Sequence, residues 1–377
     1  MIKRKLLIFI DWYYPAFKAG GPIKSVFNIA QTLKEDLEIS IITSAYDLGE
    51  VNSLEGVPTD TWMTNDEIKV IYLKREQQSR SRLKELILEV SPDIIYFNSL
   101  FSTAFTLKPI IIAKRLGINR IIVAPRGMLG KAALEIKPLK KRVFLSIARA
   151  MGIFANVQWH ASTEQERKEI EMVFGQGATI SIAKNIAGRA LRRELPSRFK
   201  VPGELKLVFF SRINEKKNLL FALEVLREWE EGAIYLDIYG PIEDRNYWEK
   251  CLQLMKNSSV HFDYKGLIHP TQLDAILHHY HYLFFPTKHE NYGHVIAESL
   301  CASLPVIISQ NTPWRNLAAQ NLGSDLPLLV EDFKVYISKV VEEGELEYKV
   351  KVEAAYAYSL QNIVHVDVID ENRKLFL

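Results

Sequence analysis

Short apolar runs alternate with longer amphipathic segments along the chain. The runs have the length of buried strands, and the segments between them show the spacing of helices with one apolar face. The first series of predicted strands is Leu6–Ile10, Glu38–Thr43, Lys69–Leu73, Ile94–Phe97, Arg120–Ala124 and Val157–His160. Helical patterns lie between several of them, at Ser25–Lys34, Arg80–Val90 and Phe105–Leu116.

A second series of the same kind begins near Leu205. Its predicted strands are Leu207–Ser211, Ile234–Tyr239, Val260–Tyr264, Tyr282–Phe285, Pro305–Ser309 and Leu328–Val330. The intervening helical patterns are Asn218–Glu230, Asp244–Lys256, Pro270–His279 and His294–Ala302, and Val350–Leu377 also has a helical pattern. Regular strand–helix alternation indicates right-handed βαβ units and parallel sheets.

Two such series predict an α/β protein with two Rossmann-like, doubly wound domains that face a central cleft. Between them, Asn185–Lys206 is rich in Arg, Pro and Gly and has little periodicity, so we place the linker there. The predicted domains are residues 1–190 and 191–359. Whether the C-terminal helix, 360–377, completes the first domain is left open by the sequence.

Composition narrows the class of protein only modestly. The chain has 377 residues, of which 48% are hydrophobic and 25% charged, and its net charge of +3 does not argue for nucleic-acid binding. Cys251 and Cys301 show neither disulfide nor zinc spacing and suit a reducing compartment. The apolar run Leu6–Ile10 is too short for a signal-peptide core, and no apolar stretch approaches the ~20 residues of a membrane span.

Candidate binding loops follow two of the predicted strands, at the carboxyl ends where doubly wound folds bind ligands. After the first strand, Gly20 and Gly21 allow close backbone approach and precede a helix N-terminus, although an ordinary tight turn has the same residues. After Ser211, Arg212 and Lys217 are spaced to close around one diphosphate; a solvated basic loop is the alternative.

A third candidate is the stretch from Lys288 to Ile307. It places Glu290 in the loop after a strand, Gly293 before a helix, and Glu298 about one turn inside that helix. The two carboxylates are therefore not neighbours on one helix face. Each could hold a different part of a ligand, while two solvated surface glutamates remain the alternative.

Taken in order, these motifs resemble the family-four retaining glycosyltransferases of GT-B fold. The matching stretches are AGGPIKSVFNIAQTL, SRINEKKNL, IYGPIED, YKGLIHPTQLDAILHHYHYLFFPT and HENYGHVIAESLCASLPVIIS, and they cover nearly the whole chain. The segments APRGML and TPW are similar to the bacterial surface-polysaccharide branch, which makes capsule, O-antigen or exopolysaccharide.

The resemblance implies a role for each matching residue. Arg212 and Lys217 would neutralise the donor diphosphate, and Glu290 would contact hydroxyls of the transferred sugar. Backbone N–H groups at Asn291, Tyr292 and Gly293 would assist, and Glu298 would hold the ribose. The family's loops place Gly240 and Leu267 beside the nucleotide and Gly21 near the donor phosphates or the acceptor.

One departure from the family pattern concerns the acceptor side. Many members carry a histidine after the strand that here ends at Ala124, where this chain has Arg126 and Gly127. An arginine cannot act as a base at neutral pH, but it could stabilise the diphosphate or hold an anionic acceptor. His160, after another strand, is a second acceptor-side candidate, although a structural role is as compatible with its position.

The resemblance therefore implies transfer of a hexose or N-acetylhexosamine from a nucleotide sugar, with UDP expected over GDP or ADP, to a saccharide or polyprenyl-linked acceptor. A nucleotide-sugar epimerase or hydrolase and a non-catalytic partner protein are the alternatives. No metal or other cofactor is expected, because His278–Tyr282 lacks a suitably spaced acidic ligand. The protein is expected to be cytoplasmic. The basic and apolar segment Gly130–Phe154 predicts peripheral contact with the anionic inner face of the cell membrane, and an ordinary packed helix with a solvated face is the alternative.

Overall fold

The computed structural model describes residues 3–135, 138–186, 198–230, 232–256, 258–268 and 272–377. The chain forms two compact units, one of Met1–Ile186 with Val366–Leu377 and one of Ala187–His365. The predicted division after residue 190, and residues 187–197 of the predicted linker, lie outside the described residues.

A mostly parallel sheet forms the centre of the first unit. Its strands follow the order β3-β4-β2-β1-β5-β6-β7-β8, and only β3 is antiparallel to its neighbour. Leu6, Leu7, Ile8 and Phe9 are fully buried, as expected for a strand covered on both faces. The strands are β1 Arg4–Phe9, β2 Leu37–Ser44, β3 Trp62–Asn65, β4 Ile68–Leu73, β5 Ile94–Phe97, β6 Ile121–Val123, β7 Gln158–Ala161 and β8 Thr179–Ile182.

Helices connect the parallel strands of this sheet. Ser79 caps the second of them by accepting a hydrogen bond from the Arg82 N–H, and Thr163 caps the sixth in the same way. The helices are α1 Gly21–Leu33, α2 Arg80–Val90, α3 Lys108–Arg115, α4 Lys131–Glu135, α5 Pro138–Ala150 and α6 Glu164–Phe174, with a π-helical turn, Thr103–Leu107, directly before α3.

The second unit contains a fully parallel sheet in the order β11-β10-β9-β12-β13-β14. Numbered within the unit this order is 3-2-1-4-5-6, which is the Rossmann order. The chain leaves β9 toward one edge of the sheet and returns at β12 to build the other. The strands are β9 Glu204–Phe210, β10 Ala233–Tyr239, β11 His261–Gly266, β12 Tyr282–Phe285, β13 Val306–Ser309 and β14 Gly323–Leu326.

The helices of the second unit pack on both faces of this sheet and bury a continuous apolar core. Phe209, Phe284, Phe285 and Phe333 are among its fully buried side chains. The helices are α7 Leu219–Leu226, α8 Arg245–Met255, α9 Leu273–Leu277, α10 His294–Cys301, α11 Val330–Val341 and α12 Glu345–Tyr358, followed by a π-helical turn, Ser359–Ile363.

The C-terminal helix, α13 Val366–Phe376, belongs to the first unit. Phe376 is fully buried and meets the ring of Tyr96 edge to face, with 5.3 Å between the ring centroids. Arg373 forms an ion pair of 2.8 Å with Asp36. The last turn of the chain therefore packs into the core beside β5, whereas residues 360–365 belong to the second unit.

One predicted strand, Leu328–Val330, is wrong. The last strand is β14, and Val330 is instead the first residue of α11. Apolar periodicity misses β14 because the strand begins with Gly-Ser-Asp. A Cβ on Gly323 would lie 1.9 Å from the Val306 carbonyl oxygen, so close strand packing selects glycine there. Strands β3 and β8, at the two edges of the first sheet, are only partly buried and were not predicted.

Candidate active site

The Rossmann order of the second sheet brings the ends of β9 and β12 together. These neighbouring strands pair through Tyr282–Leu207 and Leu283–Val208, and the chain leaves them in opposite directions. Such a switch point opens a crevice at the carboxyl ends of the strands. The loop with Arg212 and Lys217 follows β9, and the loop with Glu290 follows β12, so two of the predicted motifs meet here.

Hydrogen bonds join the two loops directly. The Lys288 N–H donates to the Lys216 carbonyl at 2.9 Å, and the Thr287 hydroxyl donates to the same oxygen at 3.1 Å. Asn218, which begins α7 with a left-handed φ of 63°, donates its side-chain amide to the Pro286 carbonyl at 2.9 Å. The loops are therefore held as one structure before any ligand is present.

The two predicted cations of this site each pair with a carboxylate. Lys217 forms an ion pair with Glu290, and each of the two side chains is only 11% exposed. Arg212 pairs with Glu243, in the loop after β10, at 3.3 Å, and the Asn214 side-chain amide donates to the same carboxylate. A diphosphate entering the site must therefore share these cations with two carboxylates or displace them.

Gly293 sets the geometry between the Glu290 loop and α10. Its φ of 82° is in the left-handed region, and an added Cβ would lie 2.8 Å from the end of the Ile296 side chain and 3.3 Å from Trp314 Nε1. The Tyr292 ring stacks edge to face on Trp314, with 5.8 Å between centroids, and burial raises the Tyr292 pKa. Tyr292 therefore uses its ring for packing and leaves its backbone, with that of Asn291, at the helix entrance.

Glu298 lies one turn into α10, whereas Glu290 lies outside the helix, as the sequence predicted. The Glu298 side chain is half-buried beside Cys301; burial, and secondly the Glu298 charge, raise the pKa of this thiol to about 12. The two glutamates thus have different surroundings. An ion pair holds Glu290 in the loop, while Glu298 is fixed by the helix that carries it.

Gly240 and Leu267 follow the next two strands toward the sheet edge. Gly240 has a φ of 139°, and an added Cβ would lie 1.8 Å from the Ser211 carbonyl oxygen. Its N–H donates to the Gly266 carbonyl at 2.8 Å. Close packing of the strand ends beside Arg212 thus explains why residue 240 is a glycine, without any contact to a ligand. Leu267 is 48% exposed, so its side chain is accessible.

The first unit has a corresponding set of residues at the carboxyl edge of its own sheet. Gly21 begins α1, after Gly20 with a φ of 67°. The Arg126 guanidinium donates to Tyr96, Asn98 and Asn185 at 2.5–2.6 Å. Gly21, predicted near the donor phosphates or the acceptor, and Arg126, an acceptor-side candidate, therefore both lie at this edge.

His160 fits a structural role. It is 1% exposed, its Nδ1 lies 2.9 Å from the Tyr96 hydroxyl, and its Nε2 lies 2.8 Å from the Ala183 carbonyl oxygen. The carbonyl can only accept, so Nε2 carries the proton and Nδ1 accepts from Tyr96. Burial, and secondly the charge of Arg126, lower the His160 pKa to about 3. Both ring nitrogens are occupied by the protein itself.

Asp11 is a residue of this edge that was not predicted. Asp11 is the second residue after β1, and it accepts a hydrogen bond from Ser102, in the loop after β5, at 2.5 Å. Burial raises the pKa of the Asp11 carboxyl, and hydrogen bonds from Ser102 and Ser99 oppose this effect. An acidic residue at the carboxyl end of a buried strand was the available signal, which sequence reasoning used only to mark the end of an apolar run.

The described residues contain neither a metal-binding cluster nor a membrane-spanning helix. No group of three or more His, Cys, Asp or Glu side chains is placed to hold a metal ion there, so a metal-free reaction stays a prediction. Within the same ranges, no helix has the length and apolar character needed to cross a bilayer.

Known proteins similar to this chain are glycosyltransferases. Residues 192–354, within the second unit, match the family model described as glycosyl transferases group 1. No curated protein matches the chain in sequence.

Solved structures match over the whole chain. HepE of Anabaena in complex with UDP-glucose has 14% identity and a TM-score of 0.72, with 98% of each chain covered. WaaG, a glycosyltransferase involved in lipopolysaccharide biosynthesis, has 13% identity and a TM-score of 0.68, with 99% of each covered. Sucrose-phosphate synthase of Thermosynechococcus elongatus has 14% identity and a TM-score of 0.72, with 100% of this chain and 99% of that one covered. The fold is GT-B, and the match to the group 1 family model lies within the second unit.

Proposed function

We propose that this GT-B protein is a retaining glycosyltransferase that moves a hexose or N-acetylhexosamine from a UDP-sugar to a lipid-linked or saccharide acceptor in surface-polysaccharide synthesis. The observation that carries the proposal is the convergence of Arg212, Lys217, Glu290 and the α10 entrance at the switch point of the unit that matches the family. Complexes of HepE with UDP-glucose, and the role of WaaG in lipopolysaccharide biosynthesis, support the donor and the pathway class.

Donor binding requires a rearrangement of the ion pairs at this site. The diphosphate takes Lys217 from Glu290 and Arg212 from Glu243, because a phosphate offers several oxygens to each cation. Glu290, once released, is positioned to accept hydrogen bonds from sugar hydroxyls. Glu298 on α10 holds the ribose, and backbone N–H groups from Asn291 to Gly293 bind phosphate oxygens at the helix entrance.

The same groups assist the chemical step. The bond from the anomeric carbon to the β-phosphate oxygen breaks, and the departing UDP gains negative charge beside Arg212 and Lys217, where fixed cations stabilise it. The acceptor oxygen forms the new bond on the face that UDP leaves, and a phosphate oxygen takes the acceptor proton. The anomeric configuration is retained without a protein nucleophile, and neither glutamate needs to act as one.

Two other functions are less well supported. The family match over residues 192–354 favours transfer over epimerisation or hydrolysis of the donor. A non-catalytic partner protein would not need Arg212, Lys217, Glu290 and Glu298 together, and all four are present.

Thermal-shift measurements with a panel of nucleoside diphosphates and nucleotide sugars test the donor site. We expect UDP to raise the Tm and the double variant Arg212→Ala/Lys217→Ala to abolish this shift. The control Arg227→Ala/Lys256→Ala removes the same charge from exposed positions elsewhere on the second unit and should keep the shift. An unchanged UDP shift in the first double variant would sink the phosphate assignment.

Glu290→Ala separates sugar contact from nucleotide binding. We expect weak sugar transfer from a UDP-sugar and retained UDP binding, because Glu290 acts on the sugar in this proposal. Loss of UDP binding in this variant would contradict the assigned role.

Helix α5 supports the proposed contact with an anionic membrane at the inner face of the cell membrane. Leu139, Val143 and Ile147 of α5, and Met151 directly after it, recur every four residues and are 52–78% exposed, which forms an apolar ridge. Exposed Lys140, Arg142 and Arg149 lie on the same helix. An apolar ridge with adjacent cations suits a bilayer surface rich in anionic lipid.

Vesicle sedimentation tests this membrane contact. We expect the protein to bind phosphatidylglycerol vesicles more than phosphatidylcholine vesicles, and Leu139→Ser/Ile147→Ser to reduce this binding at least fivefold. Met172→Ser removes an equally exposed apolar side chain, at 75%, from α6 and serves as the control. Equal binding of all three proteins would exclude the α5 ridge as the membrane contact.

A further inference from the structure

Arg126 is held in an unusual backbone conformation at the carboxyl end of β6. Its φ is 54°, in the left-handed region that non-glycine residues seldom adopt, and Gly127 follows with a φ of 72°. This conformation directs the guanidinium back over the end of the sheet, where it meets side chains that follow neighbouring strands.

Three neutral oxygens hold the guanidinium. Nε donates to Asn98 Oδ1 at 2.6 Å, Nη1 to Asn185 Oδ1 at 2.5 Å, and Nη2 to the Tyr96 hydroxyl at 2.6 Å. A guanidinium has five N–H donors, so two remain on a side chain that is only partly buried. The orientation of the cation is therefore fixed by groups that do not consume all of its hydrogen-bonding capacity.

Arg126 forms no ion pair within the residues that the structure describes. The buried carboxylate nearby, Glu166, accepts from the Gly127 N–H at 2.6 Å and from the Ser162 N–H and hydroxyl at 2.8 and 2.7 Å. His160 is neutral, with its proton on the nitrogen that faces Ala183. Arginine stays charged at any physiological pH, so Arg126 is a permanent cation whose direct partners are all uncharged.

The cluster also lies where a ligand of the first unit is expected. Asn98 follows β5, Arg126 follows β6, and Asn98 donates its amide N–H to the Pro22 carbonyl, at 3.2 Å, in the first turn of α1. Strands β1 and β5 are neighbours that the chain leaves in opposite directions, so this is the switch point of the first sheet. Three loops therefore converge around a cation that has no ion-pair partner among the described residues.

We propose that Arg126 binds a phosphoryl group of the acceptor, so that the enzyme selects acceptors carrying a phosphate or diphosphate ester. This inference rests on the proposed transferase function, because it assigns the substrate class of the acceptor side. A phosphoryl oxygen pair matches the two remaining N–H donors of the guanidinium. The group can come from a prenyl-linked acceptor or from a soluble sugar phosphate, which share this chemistry.

Calorimetric titration with saturating UDP present tests the proposal, because UDP occupies the donor phosphate site. The probes are farnesyl diphosphate, inorganic pyrophosphate and farnesol. We expect the wild type to bind farnesyl diphosphate and to bind farnesol at least tenfold more weakly. If pyrophosphate binds as tightly as farnesyl diphosphate, the protein recognises the diphosphate group and not the prenyl chain. Much tighter binding of farnesyl diphosphate would indicate a prenyl-linked acceptor.

Two variants test the role of the Arg126 charge, one by removing it and one by neutralising it. Arg126→Gln deletes the charge, and Asn185→Asp keeps the side-chain shape but places a carboxylate against Nη1. We expect each to weaken diphosphate binding at least tenfold. If Arg126 were only a structural anchor, Asn185→Asp would supply it with an ion pair and leave anion binding unchanged. The second variant thus keeps the test decisive if the first fails to fold.

The control is Arg120→Gln. Arg120 directly precedes β6 at the opposite end of the same strand, is also half-buried, and donates to the backbone carbonyl of Leu375 at 3.1 Å. We expect it to bind the probes like the wild type. Unchanged diphosphate binding in Asn185→Asp, equal affinity for farnesol and farnesyl diphosphate, or no probe binding to the wild type would overturn the proposal.

Failure of this proposal is distinct from failure of the donor assignment. A UDP-induced Tm shift that is present in the wild type and lost in Arg212→Ala/Lys217→Ala supports the donor site whatever Arg126 does. Absence of that shift would instead reject the proposed function.

Discussion

The substitution Glu290→Gln tests the central claim that one carboxylate holds Lys217 before the donor arrives. The amide keeps the size of the Glu290 side chain and removes its charge, so the ion pair with Lys217 is lost. Only 11% of the Lys217 side chain is exposed, so its charge is left largely buried. Breaking a fully buried ion pair by removing one partner costs about 3–5 kcal/mol. With this residual exposure we expect a lower value of ~2–3 kcal/mol.

This loss of stability can be measured as a shift of Tm. For domains of 150–250 residues, 1 kcal/mol corresponds to roughly 2–4 °C. The second unit, Ala187–His365, is within this size range, so we expect its Tm to fall by roughly 4–12 °C. Addition of UDP should restore most of the loss, because the diphosphate supplies the negative charge that Glu290 no longer gives. The UDP-induced shift should therefore be larger in the variant than in the wild type.

Two controls separate the ion pair from a general effect of charge. In Lys217→Met/Glu290→Gln both charges are replaced by neutral side chains of similar shape, so the Tm should return toward the wild-type value and UDP should no longer raise it. Glu215 pairs with Lys288 on the surface of the same two loops, at 3.0 Å and with the Glu215 side chain 76% exposed, and Glu215→Gln should change stability by less than about 0.5 kcal/mol. A Glu290→Gln protein with the Tm and UDP affinity of the wild type would refute the reasoning.

Three further predictions concern packing and pH. Gly240→Ala should abolish soluble folded protein or lower the unfolding free energy by more than about 3 kcal/mol, since its Cβ would lie 1.8 Å from the Ser211 carbonyl oxygen. Gly266→Ala, with a φ of 80° and nothing within 4 Å of the added Cβ, should cost about 1–2 kcal/mol. Urea unfolding measures both costs, and equal costs would contradict the packing argument. Phe376→Ala should destabilise the first unit by about 3–5 kcal/mol through the cavity it leaves, and the Tm shift induced by UDP should persist because the donor site is in the other unit. Burial lowers the pKa of His281 from 6.5 to about 4, so the unfolded state binds more protons than the folded state between these two pH values. Stability should therefore fall as the pH decreases from 6.5 to 4, and this group should contribute little further change below that. The urea midpoint should depend less on pH in His281→Gln than in the wild type, and an equal dependence would exclude His281 as a source of the pH dependence.

The strand–helix alternation was sufficient to predict two doubly wound sheets, and it placed β5 and β12 with correct bounds. It missed the edge strands β3, β8 and β14, because an edge strand need not be an apolar run: β3 and β8 are partly exposed, and β14 contains glycine, serine and aspartate. The fourth edge strand, β11, was predicted at Val260–Tyr264. The apolar residues Leu328–Val330 attracted the prediction of a strand that the chain does not form. Periodicity reports burial, and only the centres of these sheets are buried on both faces.

The candidate site was predictable in its members and not in its pairings. Arg212, Lys217 and Glu290 follow strands at their carboxyl ends, and this rule alone places all three at one edge of the sheet. The order of the strands brings the β10 and β12 loops to opposite sides of the β9 loop. This order decides that Lys217 pairs with Glu290 and Arg212 with Glu243. No spacing along the chain contains this order.

The two units treat their cations differently, and the difference matches the ligands we propose for them. In the second unit Lys217 and Arg212 are paired with carboxylates, and in the proposed reaction UDP leaves after transfer by exchanging places with Glu290 and Glu243. In the first unit Arg126 is held by amides and a phenol, which orient its charge without neutralising it. A cation held in this way attracts a phosphoryl group without first giving up an ion pair. The donor site is thus suited to exchange of a diphosphate at each turnover, and the Arg126 cluster to selection of a charged acceptor.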